Sequence, residues 1–202
     1  MLNCFSKFGY NIQYKVLNAL DYGVAQKRNR VVIVGIRNDL NISYHFPKKK
    51  KFHLSLKDVL KNVPPSVGAK YPEKKIIYLK LVPPGGYWRD LPIDKAKEYM
   101  GKSYYSSGGR TGIARRLSWD EPSLTLTCSP SQKQTERCHP DETRPFTTRE
   151  YARIQSFPDS WIFEGSVSQI YKQIGNAVPV LFAKEIGLSI MNCLKEVTNY
   201  GK

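Results

Sequence analysis

The sequence predicts a mixed α/β fold in which a short sheet and terminal helices flank an irregular middle region. Three observations lead to this prediction. Residues 31–36 form a continuous apolar run, mostly β-branched, which is typical of a strand buried on both faces. Proline and glycine punctuate residues 42–145, a pattern typical of functional loops on a small irregular scaffold. In the last third of the chain, apolar residues return at a spacing that fits helices.

The first segment contains a second predicted strand over residues 14–19, which would pair with residues 31–36 through a connection at residues 21–27. Two strands cannot shelter their own faces from water. The remaining sheet must therefore come from elsewhere. The buried-strand composition and the apolar stripe of the last helix predict that the chain in isolation exposes apolar surface, is poorly soluble and self-associates.

The middle region has only short regular pieces. Residues 56–61 and 94–100 are predicted as helices. Residues 123–127, in which leucine alternates with serine or threonine, are predicted as a strand.

The last third contains three predicted helices. Thr147 or Thr148 is placed to cap the first of them. Residues 166–174 form the second. Pro179 then lies in the first turn of the third, residues 180–196, where proline is well tolerated.

Charge narrows the classes of partner. The 202 residues include 32 Lys and Arg against 17 Asp and Glu, and the net charge of +15 favours a polyanion, with nucleic acid as the first candidate. Arginines recur beside aromatic residues, as at residues 87–89 and 115–119, which suits a folded surface that binds a duplex better than a basic tail. The lysine run at residues 48–51 is predicted to be a solvated loop.

The sequence predicts neither a membrane segment nor a metal site. No apolar run approaches the roughly 18–20 residues of a membrane helix, and residues 1–7 lack the apolar stretch of a secretory signal. The four cysteines have no zinc-ligand spacing, and His45 and His53 are isolated. Cys138 and His139 are adjacent in a proline-flanked loop where nothing is expected to orient the imidazole, so both are interpreted as loop residues. A reduced, cytoplasmic protein is the simplest interpretation.

Three blocks of the sequence resemble, in the same order, conserved motifs near the carboxy terminus of DNA (cytosine-5)-methyltransferases. Residues 17–30 include, at residues 26–30, a stretch similar to the Gln-x-Arg-x-Arg motif of that family. Residues 144–159 resemble its ninth motif. Residues 171–179, with Gly-Asn-Ala at residues 175–177, resemble its tenth. The resemblance covers essentially the whole chain, with a long variable region between the first two blocks.

The resemblance implies the carboxy-terminal part of a Rossmann-like, S-adenosylmethionine-dependent methyltransferase domain plus a small irregular β-rich target-recognition domain. Residues 1–42 would be the last strands of the methyltransferase domain, and residues 43–165 the recognition domain. Residues 166–202 would be helices that return to the methyltransferase domain. The implied setting is a restriction-modification system of bacterial type.

The resemblance also implies a pocket for a flipped cytosine. An enzyme that modifies a base inside a duplex must take it out of the stack, and cytosine then presents acceptors that suit guanidinium donors. In the family, the equivalent of Arg30 contacts the cytosine and Arg28 supports that neighbourhood. Two residues apart at the start of a strand, these side chains are expected to share a face. The alternative is that both are phosphate-binding or solvated arginines.

The other implied site residues bind DNA or the cofactor. Thr125, in a Thr-Leu pair, would touch the DNA backbone beside the target base, unless it is a strand threonine chosen for β-propensity. Arg89 and Arg110, near glycine-rich turns, are candidates for contacts to guanine edges. Asn176 and Ala177 would border the S-adenosyl-L-methionine pocket. Because the family often has serine at the position of Ala177, only a main-chain contact is expected there.

The rest of the second block is expected to be architectural. Arg149 and Glu150 would make buried hydrogen bonds that hold the recognition domain, and Arg153 is interpreted as structural rather than DNA-binding. Trp88 and Trp119 are expected to pack in the protein rather than stack on bases.

The chain departs from the family at the residues that carry the chemistry. No cysteine follows a proline, so the family's nucleophile, whose thiolate attacks cytosine C6, is absent, as are its Glu-Asn-Val segment and its Gly-rich cofactor loop. The leading hypothesis is a carboxy-terminal subunit or fragment that binds double-stranded DNA. It would share S-adenosyl-L-methionine with an amino-terminal polypeptide that carries the catalytic cysteine. The alternatives are a catalytically inactive, sequence-specific DNA-binding remnant or regulator and, more weakly, a generic RNA-binding protein.

Overall fold

The computed structural model describes the backbone of residues 2–200 and the side chains of residues 5–196. The predicted units 1–42 and 166–202 each include residues outside this description. In chain order the helices and strands are α1 (Leu2–Lys7), β1 (Tyr10–Asn18), β2 (Asn29–Arg37), α2 (Leu56–Val59), α3 (Glu73–Leu79), α4 (Ile93–Met100), α5 (Thr148–Ile154), α6 (Val167–Asn176) and α7 (Val180–Tyr200). Short 3-10 turns lie between several of them.

Strands β1 and β2 form an antiparallel pair whose connection is closed by one side chain. Both predicted strands are confirmed, although β1 begins earlier than expected, at Tyr10. The side-chain oxygen of Asn18 accepts hydrogen bonds from the N–H groups of Leu20 (3.2 Å) and Arg28 (3.0 Å). Gly23 turns the chain with a φ of 84°, a left-handed conformation that glycine adopts without strain. Arg28 is thereby held directly before β2.

One face of this strand pair is apolar and exposed; we call it the sheet face. Val16 lies opposite Val31 and Tyr14 opposite Ile33, with exposed fractions of 62, 60, 61 and 41% respectively. The prediction that the β2 run is buried on both faces is therefore wrong. Its side chains alternate between exposed and half-buried because α7 packs only against the other face.

Charging the sheet face should make the isolated chain more soluble. Val16→Lys with Val31→Glu places opposite charges directly across the two strands, where such a pair is mildly stabilising. We expect the wild-type chain to elute as oligomers in size-exclusion chromatography with light scattering, and the variant as a monomer, because the contiguous apolar patch is interrupted. The reversed pair, Val16→Glu with Val31→Lys, is the matched control and should behave alike. A sharp wild-type monomer that unfolds cooperatively would contradict the prediction.

Residues 43–165, all of which the structure describes, contain helices and turns rather than the predicted β-rich domain. The two predicted helices are confirmed as α2 and α4, with α2 ending early at Val59. β-Pairing in this region is limited to isolated bridges. The region is irregular, as predicted, but its short helices and turns take the place of the expected strands.

The predicted strand at residues 123–127 does not form. The segment makes only an isolated bridge, between Ser123 and Gln26. The Ser123 N–H donates to the Ala25 carbonyl oxygen (2.8 Å), but further along the segment the Leu126 N–H donates to Gln26 Oε1 (3.0 Å) and the Thr127 N–H to the Tyr151 hydroxyl (3.1 Å). These side chains accept hydrogen bonds that the carbonyl groups of a neighbouring strand would otherwise accept. An alternating sequence is therefore not enough to produce paired β-strands here.

Among the residues whose side chains are described, the apolar core consists of three clusters. The first joins α2, α5 and α6, and the second lies beside α3 and α4 around the buried Trp88. The third joins the β1–β2 connection to Phe182 of α7, so segments from the first and last parts of the chain pack together. Trp88 and the half-buried Trp119 pack against these clusters, as predicted. The division into units 1–42, 43–165 and 166–202 stays a prediction.

The three predicted terminal helices are confirmed as α5, α6 and α7. Thr147 caps α5 and Ser166 caps α6, each in a reciprocal capping box with the residue three positions later. The helix α7 follows Pro179, and its first two N–H groups donate to the Gln155 carbonyl (3.2 Å) and to Ser156 Oγ (3.0 Å). The end of the second block thus caps the final helix.

Val167–Glu196 is long and apolar enough, by length and composition alone, to cross a membrane. The sequence analysis expected no apolar run of membrane length. Judged by helix length and mean hydropathy, that expectation is not borne out. The stretch is interrupted at residues 177–179, between α6 and α7. Tyr171, Ile174 and Phe182 are buried in the protein core. Only 17% of the most apolar window is buried in the protein, so a core helix does not account for the finding, but one such helix is weak evidence for a membrane segment.

Candidate active and DNA-binding site

Three segments that are far apart in the sequence meet at one place, which we call the junction. They are residues 26–28, 125–128 and 174–177. The first contains most of the Gln-x-Arg-x-Arg pattern, the second the Thr-Leu pair and the third the predicted cofactor turn. The fold therefore brings together residues that the sequence assigned separately to cytosine, DNA and cofactor.

The Arg28 side chain holds the junction together. It is 3% exposed, and Nη1 donates to the carbonyl oxygen of Leu126 (2.9 Å) while Nη2 donates to those of Gly175 (2.8 Å) and Ala177 (3.3 Å). Burial, helped by the charge of Arg30, lowers the pKa of Arg28 to about 10, so the group stays charged at neutral pH. Both terminal nitrogens are used within the protein. These bonds describe a supporting role, and a direct contact of Arg28 with cytosine stays a prediction.

Arg30 lies two residues further on, in different surroundings. Its side chain is half-exposed, and Nη1 donates to the carbonyl oxygen of Asn29 (2.7 Å). The two side chains were expected to share a face, but their guanidinium groups differ in exposure. The reason is that Arg28 precedes β2, so the alternation of side chains along a strand does not determine its direction. Arg30 is thus the arginine of the pattern that a ligand can reach.

Gln26 belongs to the junction, although the sequence reasoning did not single it out. Its side chain is fully buried, and Oε1 accepts hydrogen bonds from the Leu126 N–H (3.0 Å) and from Arg28 Nη1 (3.4 Å). Gln26 therefore orients the guanidinium and fixes the Thr-Leu segment at the same time. Its place as the first residue of the Gln-x-Arg-x-Arg pattern is the signal that could have found it.

The predicted cofactor turn packs directly against the second junction segment. A Cβ atom at Gly175 would lie 2.5 Å from the carbonyl carbon and oxygen of Thr127 and 2.7 Å from the nitrogen of Cys128. The Cys128 thiol donates to Asn176 Oδ1 (3.0 Å). The Tyr151 hydroxyl holds Thr127 in place, because it accepts from its N–H (3.1 Å) and donates to its carbonyl oxygen (2.9 Å). Glycine at position 175 is what allows this close approach.

The predicted DNA-binding residues fall in two places. Thr125 is half-exposed within the junction, where its hydroxyl donates to the main chain of the first segment at 2.7 Å. Arg89 is exposed, with its guanidinium 5.2 Å from the ring centroid of Trp88. Arg110 donates from Nη1 to the carbonyl oxygen of Ser103 (2.7 Å). In the described part of the chain, no hydrogen bond joins Arg89 or Arg110 to the junction.

Most of the second block has the structural role predicted for it. The buried Glu150 accepts from both terminal nitrogens of Arg144 (2.7 and 3.0 Å) and from the Thr147 N–H (2.6 Å). Burial opposes ionisation, but these donors outweigh it and lower the pKa of Glu150. Arg153 makes an ion pair and carbonyl bonds within the protein, so its structural role is confirmed. Arg149 bonds to carbonyl oxygens in exposed surroundings, so the buried role predicted for it is wrong.

Cys138 and His139 are buried, and the imidazole is oriented. His139 Nδ1 accepts from the N–H groups of Asp141 (3.3 Å) and Glu142 (3.2 Å), so the expectation that nothing orients it is wrong. Burial, with the charge of Arg144, lowers the pKa of His139 and favours this neutral acceptor. The Cys138 thiol faces the Glu142 carbonyl (3.5 Å) rather than the ring. Across the described residues, no group of three or more His, Cys, Asp or Glu could hold a metal ion.

Comparison with known proteins agrees with the junction motifs. The model of the family described as C-5 cytosine-specific DNA methylase matches residues 1–192. The chain is 57% identical over 205 residues to the Type II methyltransferase M.Eco47II of Escherichia coli, which covers 96% of this chain and 49% of the relative. It is 60% identical over 200 residues to M.Sau96I of Staphylococcus aureus, covering 97% of this chain and 46% of the relative. The chain thus spans about half the length of these relatives.

Solved structures of methyltransferases share the fold. A DNA modification methyltransferase encoded within an E. coli prophage matches with a TM-score of 0.63 at 22% identity, covering 96% of this chain and 63% of that one. The Entamoeba histolytica methyltransferase EhMeth matches with a TM-score of 0.58 at 16% identity, covering 99% and 57%. At these identities the likeness shows the fold alone, a partial methyltransferase domain of mixed α/β class.

Proposed function

Because the chain belongs to the C-5 cytosine-specific DNA methylase family, we propose that it is the carboxy-terminal part of a DNA (cytosine-5)-methyltransferase. It would recognise duplex DNA and complete the pockets for the flipped cytosine and for S-adenosyl-L-methionine. The observation that carries this proposal is the junction, where Arg28 binds the Thr-Leu segment and the cofactor turn at once. A bacterial restriction-modification system is the proposed setting.

Arg30 is the proposed cytosine contact. A cytosine turned out of the duplex offers O2 and N3 as acceptors, and a guanidinium offers donors in a planar fork that suits them. The half-exposed Arg30 follows the buried Arg28 by two residues, so its backbone is fixed by the junction while its side chain remains accessible. Thr125, also in the junction, would position the DNA backbone beside that base.

Arg28 and Gln26 are proposed as positioning residues. Their bonds hold the Thr-Leu segment and the cofactor turn in one arrangement, so the DNA side and the cofactor side are fixed relative to each other. S-adenosyl-L-methionine supplies the methyl group when bound. This chain would contribute Asn176, whose amide is exposed at the end of α6, and the main chain of Ala177. Another part of the enzyme would hold the rest of the cofactor.

The nucleophile is proposed to come from a polypeptide segment outside these 202 residues. The family's thiolate belongs to a cysteine that follows a proline, and no such pair occurs in this sequence. The relatives contain about as much chain again as this one matches. The complementing segment would therefore carry the cysteine and most of the cofactor pocket.

Reconstitution tests the proposal. The chain is mixed with the part of the S. aureus relative that it does not match, together with duplex DNA and tritiated S-adenosyl-L-methionine. We expect methyl transfer to cytosine from the mixture and from neither component alone. Arg30→Met should slow the reaction by roughly 100-fold or more, since removal of one charge-stabilising donor from an active site typically costs that much. Arg37→Met, at the other end of β2 and paired with Asp39 on the surface, is the matched control and should keep the wild-type rate.

Two outcomes would contradict this function. Methylation by the isolated chain would show that it supplies its own nucleophile. Selective binding of duplex DNA without methylation in any mixture would instead support an inactive DNA-binding remnant or regulator.

A further inference from the structure

The strand β2 pairs with β1 on one side, and in the described part of the chain no strand pairs with its other side. At the two ends of the pair, the Ala19 N–H donates to the Arg28 carbonyl oxygen (3.0 Å) and the Asn38 N–H to that of Gly9 (2.8 Å). Because hydrogen-bonded pairs alternate along an antiparallel pair of strands, the main-chain groups of residues 31, 33 and 35 point away from β1. We call these outward N–H and C=O groups the open edge.

The two strands differ in composition as interior and edge strands do. Residues 31–36 of β2 contain no polar side chain, which is typical of a strand that is covered on both faces. In β1, polar residues alternate at Asn11, Gln13 and Lys15, and lysine is common on strands that end a sheet. The strand β2 therefore has the composition of an interior strand, although its outer neighbour is not part of this chain's sheet.

An apolar groove lies beside the open edge. A cavity of about 460 Å³ separates residues 33–37 of β2 from the later part of α7, and its lining includes Ile190 and Leu194. These two side chains are 40 and 54% exposed. Because the groove and the open edge share residues of β2, one occupant can cover both.

That occupant must supply main-chain hydrogen bonds as well as apolar side chains. A lipid bilayer supplies no such bonds, and open strand edges do not occur in hydrocarbon. The relatives at 57 and 60% identity carry about as much sequence again as they share with this chain. That length is sufficient for the further strands that a stable sheet needs. A second copy of this chain is the alternative occupant.

The position of the proposed cytosine contact favours the complementing segment over a second copy. The open edge begins one residue after Arg30, near the start of β2. A segment that brings the nucleophile to a base at Arg30 must therefore reach this end of the strand.

We propose that a strand of the complementing segment pairs with the open edge, and that the same segment covers the sheet face and the groove. The strand β2 would then be an interior strand, and β1 would remain at the edge of the sheet. This rests on the proposed function, which supplies the complementing segment. Self-association of the isolated chain would use the same surface, so the complementing segment should replace it.

Amide hydrogen exchange tests the pairing residue by residue. The full 202-residue chain is measured alone, at high dilution, and in complex with the part of the S. aureus relative that it does not match, after co-expression. In the complex, the amides of residues 31, 33 and 35 should exchange roughly 100-fold more slowly, because hydrogen-bonded amides in a sheet exchange only when it opens. The outward amides of Tyr14 and Val16 on β1 should exchange as before. Unchanged exchange at the open edge, or equal slowing at both edges, would overturn the proposal.

Ile33→Pro and Tyr14→Pro are a matched pair of variants. The two residues lie opposite each other, and each directs its N–H away from the partner strand, so proline removes an outward donor without removing a bond between β1 and β2. Ile33→Pro should weaken the complex by roughly tenfold, as expected when one hydrogen bond is lost. Tyr14→Pro should keep the wild-type affinity. Equal affinities of the two variants would count against pairing at β2.

Leu194→Glu tests the groove if either proline variant fails to unfold cooperatively in urea. Its side chain is exposed on α7, so the substitution should leave the fold intact. A charge placed in the covered groove should weaken the complex by roughly tenfold or more. Wild-type affinity would overturn the proposal. So would homo-oligomers that persist beside the complementing segment, or binding of the complex to vesicles of phosphatidylethanolamine and phosphatidylglycerol through α7.

The exchange measurement is independent of methylation. A complex with a protected open edge but without methyl transfer would support the pairing and contradict the enzymatic proposal. Methyl transfer by a complex whose open edge exchanges freely would support the enzyme and overturn the pairing.

Discussion

Gly175→Ala should destabilise the chain by about 2 kcal/mol. Overpacking a site with no free space costs up to about 3 kcal/mol, and the better helix propensity of alanine offsets at most about 1 kcal/mol of that cost. The added Cβ would meet main-chain atoms of Thr127, at 2.5 Å, rather than the end of a flexible side chain. Those atoms are held by the Tyr151 hydroxyl on both sides of the residue. The neighbouring segment therefore cannot move aside without breaking other bonds.

Gly187→Ala is the matched control for this prediction. Gly187 lies within α7, and a Cβ there would have no atom within 4 Å. Alanine should therefore stabilise the chain by up to about 1 kcal/mol through helix propensity alone. The two variants should differ by about 3 kcal/mol, or roughly 6–12 °C in Tm for a chain of this length.

Urea unfolding followed by tryptophan fluorescence, at protein concentrations low enough to limit self-association, measures both glycine variants. Equal midpoints for the two alanine variants would show that the close approach at the junction does not constrain the fold. Reconstituted methylation adds a second measurement. Gly175→Ala should reduce it more than its loss of stability explains, because the proposed cofactor turn is displaced from the Thr-Leu segment.

Arg28→Met should lower the free energy of unfolding by about 3 kcal/mol, because it removes charge-assisted hydrogen bonds and leaves buried carbonyl groups without donors. Each unsatisfied carbonyl group costs about 1–3 kcal/mol, and the costs of neighbouring groups do not add. The acceptors affected are the carbonyl oxygens of Leu126, Gly175 and Ala177. Methionine fills much of the space of the arginine stem, so the loss reports the polar contacts more than packing. The measurement is again the urea midpoint.

Arg30→Met provides the opposite pattern. Its guanidinium is half-exposed and bonds within the protein to the carbonyl oxygen of Asn29, so the stability change should stay within about 0.5 kcal/mol, as for most surface substitutions. Arg28→Met should therefore lower the free energy of unfolding. Arg30→Met should lower the rate of reconstituted methylation and leave the free energy of unfolding nearly unchanged. If both variants lost stability alike, the division of roles between the two arginines would be wrong.

Local features of the fold could be predicted because their causes are local. The β-branched run produced β2, and the threonine before the second block produced a capped α5. The order of three motifs was enough to identify the family, which the match over residues 1–192 confirms. The strand predicted at residues 123–127 was wrong because the N–H groups of Leu126 and Thr127 donate to the side chains of Gln26 and Tyr151, which no alternation within the segment reports.

The sequence by itself determined the fold class, the family and the candidate site residues. Only the tertiary structure decided which of those residues are buried and which are accessible. Arg28 and Arg30 belong to one short pattern, yet Arg28 is buried against carbonyl oxygens 98 and 147 positions away, and Arg30 is left accessible. The net charge of +15 likewise indicated a polyanionic partner without distinguishing these two arginines. The physical reason is that burial and hydrogen-bond partners at the junction come from distant segments, whereas sequence periodicity reports only near neighbours.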